Sequence, residues 1–216
     1  HRSGQELMHG SVVSSHGRPL HIFREVQEVA EGFSVAAEFI AETRPAPCKL
    51  AVHVSSVAWA QFQFQSVANE FRYIEYLQER VCRPLMDAHL RADFIDPAAP
   101  LDTYGLVYSP FLPALDESGL RERLYAWIKA GGTWVAGPLT DIRTIDGAKF
   151  PHAPFGSLEE WAGVYCTCEL PGEPRDFAVQ WADGRTTPGS LWYSGFESRR
   201  APVLATYVDG PLEGLA

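Results

Sequence analysis

Asp102 to Pro138 constrains the chain most. It reads D-T-Y-G-L-V-Y-S-P-F-L-P-A-L-D-E-S-G-L-R-E-R-L-Y-A-W-I-K-A-G-G-T-W-V-A-G-P. Tyr104 to Ser109 is a continuous apolar run closed by Pro110, as expected of a strand covered on both faces. Asp116 or Ser118 can cap a helix start. Leu120, Leu124, Trp127 and Ile128 then fall on one helical face. Gly131 and Gly132 permit the left-handed turn that ends a helix, and Thr133 to Ala136 forms a second strand. Two short strands joined through a helix are parallel neighbours, because only a crossover returns the chain in the same direction.

Composition narrows the functional classes. The 216 residues are 46% hydrophobic and 21% charged, which suits one domain or one domain with part of another. A net charge of −9 argues against nucleic acid or an anionic membrane as a partner. No apolar run approaches the roughly 18 residues a membrane-spanning helix needs. The opening His1-Arg2-Ser3-Gly4 has neither a Met nor the pattern of a signal peptide, so the chain is expected to be part of a longer polypeptide. Cys48, Cys82, Cys166 and Cys168 lack zinc spacing and read as reduced, partly buried thiols of a cytoplasmic protein. No metal and no cofactor is expected.

Along the chain, Pro19 to Phe33 reads as a helix that stops at Gly32 or continues through Ala41, and Thr43 to Pro47 as a linker. Leu50 to Ser55 is a first strand. Ser56 to Gln65 is ambiguous: its alternation suits a strand, its position after a strand a loop or short helix. Glu70 to His89 is a helix with Phe71, Ile74, Leu77, Val81 and Leu85 on its stripe, and Ala92 to Ile95 a second strand. This alternation predicts a doubly wound, mostly parallel α/β sheet with helices on both faces. Ser157-Leu-Glu-Glu160 is a capping box opening a helix that ends at Gly163. Beyond it, Val164–Leu170, Phe177–Trp181, Ser190–Tyr193 and Val203–Val208 read as strands, with a hairpin signal at Asp183-Gly184.

A scaffold of this class invites enzyme readings that the residues do not support. The first strand is followed by S-S-V-A-W-A-Q, without the glycines of a dinucleotide fold, and there is no G-K-[ST] phosphate loop. A glutamine-amidotransferase site needs a thiol on a sharp strand-to-helix elbow with a histidine in reach. None of the four cysteines stands so. The acidic pairs Asp116-Glu117 and Glu159-Glu160 read as capping and surface residues. His152 reads as a loop residue, and Trp127, Trp134 and Trp161 as core.

The wording does, however, resemble a family. G-Q-E-L-M-H-G-S-V-V-S-S-H-G-R-P (Gly4 to Pro19), R-E-V-Q (Arg24 to Gln27), Y-G-L-V-Y-S-P (Tyr104 to Pro110) and W-I-K-A-G-G-T-W-V-A-G-P (Trp127 to Pro138), in that order, resemble the β-galactosidases of glycoside hydrolase family 42. The resemblance implies that residues 1–42 are the end of a catalytic (β/α)8 barrel. It implies that residues 43–216 are a flavodoxin-like, class I glutamine-amidotransferase-like domain, with late β-hairpins, that mediates homotrimer formation.

The parent would hydrolyse terminal β-D-galactosides with retention through two glutamates placed before His1. This chain would then hold no catalytic residue. Glu6 and His9 match the family's E-x-x-H, which contacts hydroxyls of the terminal galactose. The expected partner is the chain itself, with the galactoside bound only by the parent. The rival expectation is a free-standing glutamine-amidotransferase-like enzyme or small-molecule binding module. Some of Trp59, Phe62, Phe64, Phe111 and Phe155 are expected to form an exposed interface patch.

Overall fold

A computed structural model describes residues 12–14, 16–67, 71–172 and 177–216. The chain divides into two compact units, His1–Pro47 and Cys48–Ala216. In the first, Val13 and Pro19 form an isolated antiparallel bridge, and helix α1 runs Phe23–Glu42. The helix starts four residues later than the sequence predicts, because Pro19 is held in that bridge. It passes through Gly32 and ends at Thr43, whose N–H reaches Phe39 O, just before Pro45 and Pro47.

The second unit opens with β1 (Leu50–His53) and α2 (Ser56–Phe64). Ser55 settles the ambiguous segment in favour of helix: its Oγ accepts from the Ala58 N–H, an N-cap that starts the turn. Next come α3 (Tyr73–Leu77), a π-helical turn at Gln78–Cys82 and α4 (Arg83–Asp87), which together make one continuous rod. Pro84 has no N–H to return to Arg80, and the wider turn absorbs that gap. It also keeps Tyr73, Leu77, Val81 and Leu85 in line at four-residue steps. Tyr73 therefore takes the core position that the sequence assigns to Ile74, which is 43% exposed.

Strands β2 (Asp93–Ile95), β3 (Leu106–Ser109) and β4 (Thr133–Ala136) join β1 in one parallel sheet of order β2-β1-β3-β4. Helix α5 (Leu120–Lys129) connects β3 to β4. Alternate residues of a strand face opposite ways, and the cores follow. Val52 packs with Ala58, Phe62, Phe71 and Tyr73 under α2–α4, whereas Ala51 and Val107 pack with Leu115, Leu120 and Leu124 under α5. Helices thus cover both faces, as a doubly wound fold requires.

Of the two glycines after α5, Gly131 takes the left-handed conformation at φ 103°. Gly132 is needed for space, since a Cβ there would lie 2.3 Å from the Trp127 ring.

Helix α6 (Leu158–Ala162) leads into β5 (Val164–Pro171), β6 (Phe177–Trp181), β7 (Thr186–Gly189), β8 (Trp192–Ser198) and β9 (Ala205–Tyr207). None of these extends the parallel sheet. Strands β5 and β8 form an antiparallel pair with a register shift between Cys166 and Cys168, and β7-β6-β9 form a second antiparallel sheet. The Asp183-Gly184 hairpin joins β6 to β7, with Gly184 at φ 86°. Strand β7 escapes sequence reading because Thr-Thr-Pro-Gly lacks an apolar run. Pro188 is tolerated there because β7 is an edge strand.

Candidate functional site

In sheets of this class, ligands sit at the carboxyl ends of the strands where the order reverses, here between β1 and β3. Two buried polar side chains meet at that place. His53 ends β1 and Ser109 ends β3, both wholly buried. His53 Nδ1 lies 2.8 Å from Ser109 Oγ, and Trp134 Nε1 donates to the same oxygen at 2.9 Å. His53 Nε2 is buried with no hydrogen-bond partner among the described residues. Burial, with the Arg123 guanidinium next in weight, lowers His53 to about 4, against an upward pull from Asp96.

A serine and a histidine in hydrogen-bond reach suggest nucleophilic catalysis, but the surroundings forbid it. A histidine with so low a pKa is a weak general base at neutral pH. Neither side chain is open to solvent, and Trp134 already occupies the serine oxygen. The pair is a sealed clasp between strands.

The turn after β3 carries the second decisive feature. Phe111 sits there at φ 50°, a left-handed conformation that a bulky residue seldom adopts. A strained turn leaving a central strand is where α/β enzymes display their nucleophile. Here the position holds a buried phenyl ring packed 5.1 Å from Phe71. Gly137 lets β4 exit alongside this turn; a Cβ on it would lie 2.8 Å from Pro110 Cα.

The thiols lie elsewhere. Cys48 donates to Leu50 O and Arg91 O, and burial raises Cys82 and pushes Cys166 up to about 11. A raised pKa suppresses the thiolate, the reactive form. These placements do not favour the amidotransferase-like rival.

Several acidic residues differ from the sequence reading. Glu117 is buried and accepts from Ser55 Oγ at 2.6 Å; burial raises its carboxyl above the ordinary value. The capping box at Ser157 does not form. Ser157 Oγ instead accepts from Arg121 Nη1, and the helix start is capped from a distance by Asp141 Oδ2, which accepts the N–H groups of Ser157 and Leu158. Glu159 Oε1 accepts the Cys166 N–H. Asp141 is fully buried and pairs with Arg121 at 2.9 Å, while Arg121 also holds Asp116 at 2.8 Å.

These roles depend on residues distant in sequence, so no local pattern announces them; only the left-handed φ of Asp141, 61°, tells of an unusual local demand. Glu6 and His9 lie outside the described residues. No cluster of three or more metal-ligating side chains occurs among the described residues, and no helix among them is long and apolar enough to cross a membrane.

The strand order β2-β1-β3-β4, parallel throughout and covered by helices on both faces, defines a flavodoxin-like α/β domain. Its family follows from sequence. The profile of the β-galactosidase trimerisation domain matches residues 51–215, and the chain belongs to that family. It is 29% identical over its whole length to the β-galactosidase YesZ of Bacillus subtilis, of which it covers 32%. To the β-galactosidase Bga of Halorubrum lacusprofundi it is 26% identical, over 98% of this chain and 31% of that one. The crystal structure of a β-galactosidase from Bacillus circulans sp. alkalophilus superposes with a TM-score of 0.82 at 19% identity, covering 96% of this chain and 31% of that one. That likeness shows the fold. The chain spans about a third of the length of the curated relatives it matches.

Proposed function

We propose that residues 43–216 hold copies of a β-galactosidase together as a homotrimer and carry out no chemistry of their own. The observation behind this reading is the family match over residues 51–215, in a domain whose elbow position carries Phe111 in place of a nucleophile. Hydrolysis of terminal β-D-galactosides then belongs to other segments of such an enzyme. Four unpaired thiols, none in a disulfide, fit a reducing cytoplasm. Sedimentation equilibrium of the purified chain tests the assembly role. We expect a species of about 72 kDa, three times the 23.9 kDa chain. A strict monomer at high concentration overturns it.

Residues 1–42 are read as the end of the catalytic barrel, with Glu6 and His9 contacting galactose. Support comes from the Bacillus subtilis relative, which aligns with the entire chain, whereas the trimerisation profile begins only at residue 51. In a β-galactosidase carrying this chain, Glu6→Ala and His9→Ala should each raise KM for a β-galactoside. Unchanged kinetics in both variants would refute the assignment.

A further inference from the structure

The aromatic residues singled out in the sequence separate into two groups. Phe62, Phe111 and Phe155 are buried, whereas Trp59 is 47% exposed and Phe64 is 95% exposed. Both exposed residues belong to α2. This helix, S-V-A-W-A-Q-F-Q-F, has no charged residue, and apolar side chains ring it on every side. A helix apolar all round is normally covered all round. Yet only Ala58 and Phe62 of α2 are buried in this domain.

The adjoining loop shows the same incompleteness. Gln61 Nε2 donates to the carbonyls of Thr144 and Ile145, at 3.0 and 2.9 Å, which places this loop against α2. Ile145 is exposed, and Gln61 Oε1 is buried with no partner among the described residues. Arg143, next in the loop, is 6% exposed and makes no ion pair or side-chain hydrogen bond among the described residues. Its guanidinium nitrogens are not among the buried unpartnered atoms, so the cation keeps its remaining contact with solvent, and carboxylate is its natural complement there.

We infer that the outer face of α2, with Ile145 and Arg143 of the adjoining loop, is a contact surface for a second copy of this chain, with Phe64 as its anchor and a carboxylate of the neighbour opposite Arg143. The occupant follows from the family, whose domain is described by trimerisation, and from charge. The chain carries 27 acidic against 18 basic residues, so a neighbouring copy presents carboxylates in excess. Large aromatics set among desolvated polar groups are the residues that carry binding energy at such contacts. This inference rests on the assembly reading and adds the surface through which assembly occurs.

The test is sedimentation velocity of the purified chain across a dilution series, for the wild type, Phe64→Glu, Arg143→Met and Phe94→Glu. Phe94 is an exposed aromatic on edge strand β2 and serves as the control. Phe64→Glu should raise the concentration at which the oligomer dissociates by at least about 30-fold, the loss of one anchor. Arg143→Met should raise it roughly tenfold, and Phe94→Glu should leave it unchanged. Phe64→Ser, which adds no charge, repeats the first measurement should the glutamate variant fold poorly. An oligomer that persists in both Phe64 variants overturns the inference and leaves the assembly reading standing, with α2 then covered by another segment of the same polypeptide. A wild-type chain that is monomeric throughout overturns both.

Discussion

Helices α5 and α2 cover opposite faces of one sheet and are finished differently on the outside. Helix α5 buries Leu120 and Leu124 and turns Glu122 and Lys129 to water. Its surroundings are closed by polar side chains that find each other: Arg121 with Asp116 and Asp141, and Arg123 on the carbonyls of Pro97 and Ala99. Helix α2 buries Phe62 against Phe71 and Tyr73 and leaves Trp59 and Phe64 to solvent. One helix is complete within the domain. The other has an apolar surface left over, in a family described by its assembly. The lesson is that covering the core and finishing the surface are separate demands, and the second identifies the contact face.

The strongest way to break this contrast is to remove Asp141. Its loss takes from Arg121 the buried one of its two carboxylate partners, leaving Asp116, and uncaps α6, so Asp141→Ala should cost about 3 kcal/mol. Thermal unfolding would register that as a fall of roughly 10 °C; a fall under about 2 °C would mean that the network beside α5 closes nothing.

The second test is pH. His53 has its pKa depressed from an ordinary 6.5 to about 4, so the unfolded chain binds the extra proton between those values. Stability from this group is complete above pH 6.5 and falls as pH drops toward 4, by on the order of 3 kcal/mol. His53→Gln should flatten that part of the urea-unfolding profile. Glu117, raised by burial, changes stability in the opposite sense, but it is common to both proteins and cancels in their difference. Identical slopes would show that His53 is not held neutral.

A smaller effect is expected at Gly132→Ala, where the new methyl meets Trp127 and should cost about 1–3 kcal/mol in chemical denaturation. The smallest belongs to the α2 side. Phe64→Ser should alter the stability of the isolated domain by no more than about 0.5 kcal/mol, measured at a concentration where it is monomeric. A larger loss would mean that Phe64 supports the domain's own core, and the contrast between the two helices would fail.

The parallel unit from β3 through α5 to β4 was legible because its pattern is local: an apolar run, a helical stripe and a glycine stop follow one another without interruption. The candidate site was less so. Ser55, whose carbonyl side of β1 looks unremarkable in sequence, both caps α2 and binds Glu117, sixty-two residues away. The S-L-E-E motif at Ser157 reads as a capping box, yet Asp141 takes the helix start because it is already buried beside it. The π-helical turn exchanged Ile74 for Tyr73 in the core, a change that 3.6-residue periodicity cannot register.

Sequence alone determined the alternation of strands and helices and the family, because periodicity, turn chemistry and residue type are written locally. Tertiary structure decided which aromatics are core and which are surface, and which carboxylates are buried. Those properties depend on what a side chain meets after folding, and its neighbours in space are mostly distant along the chain. Phe62 and Phe64 make the point: two residues apart on one helix, one closes the core and the other stands in water.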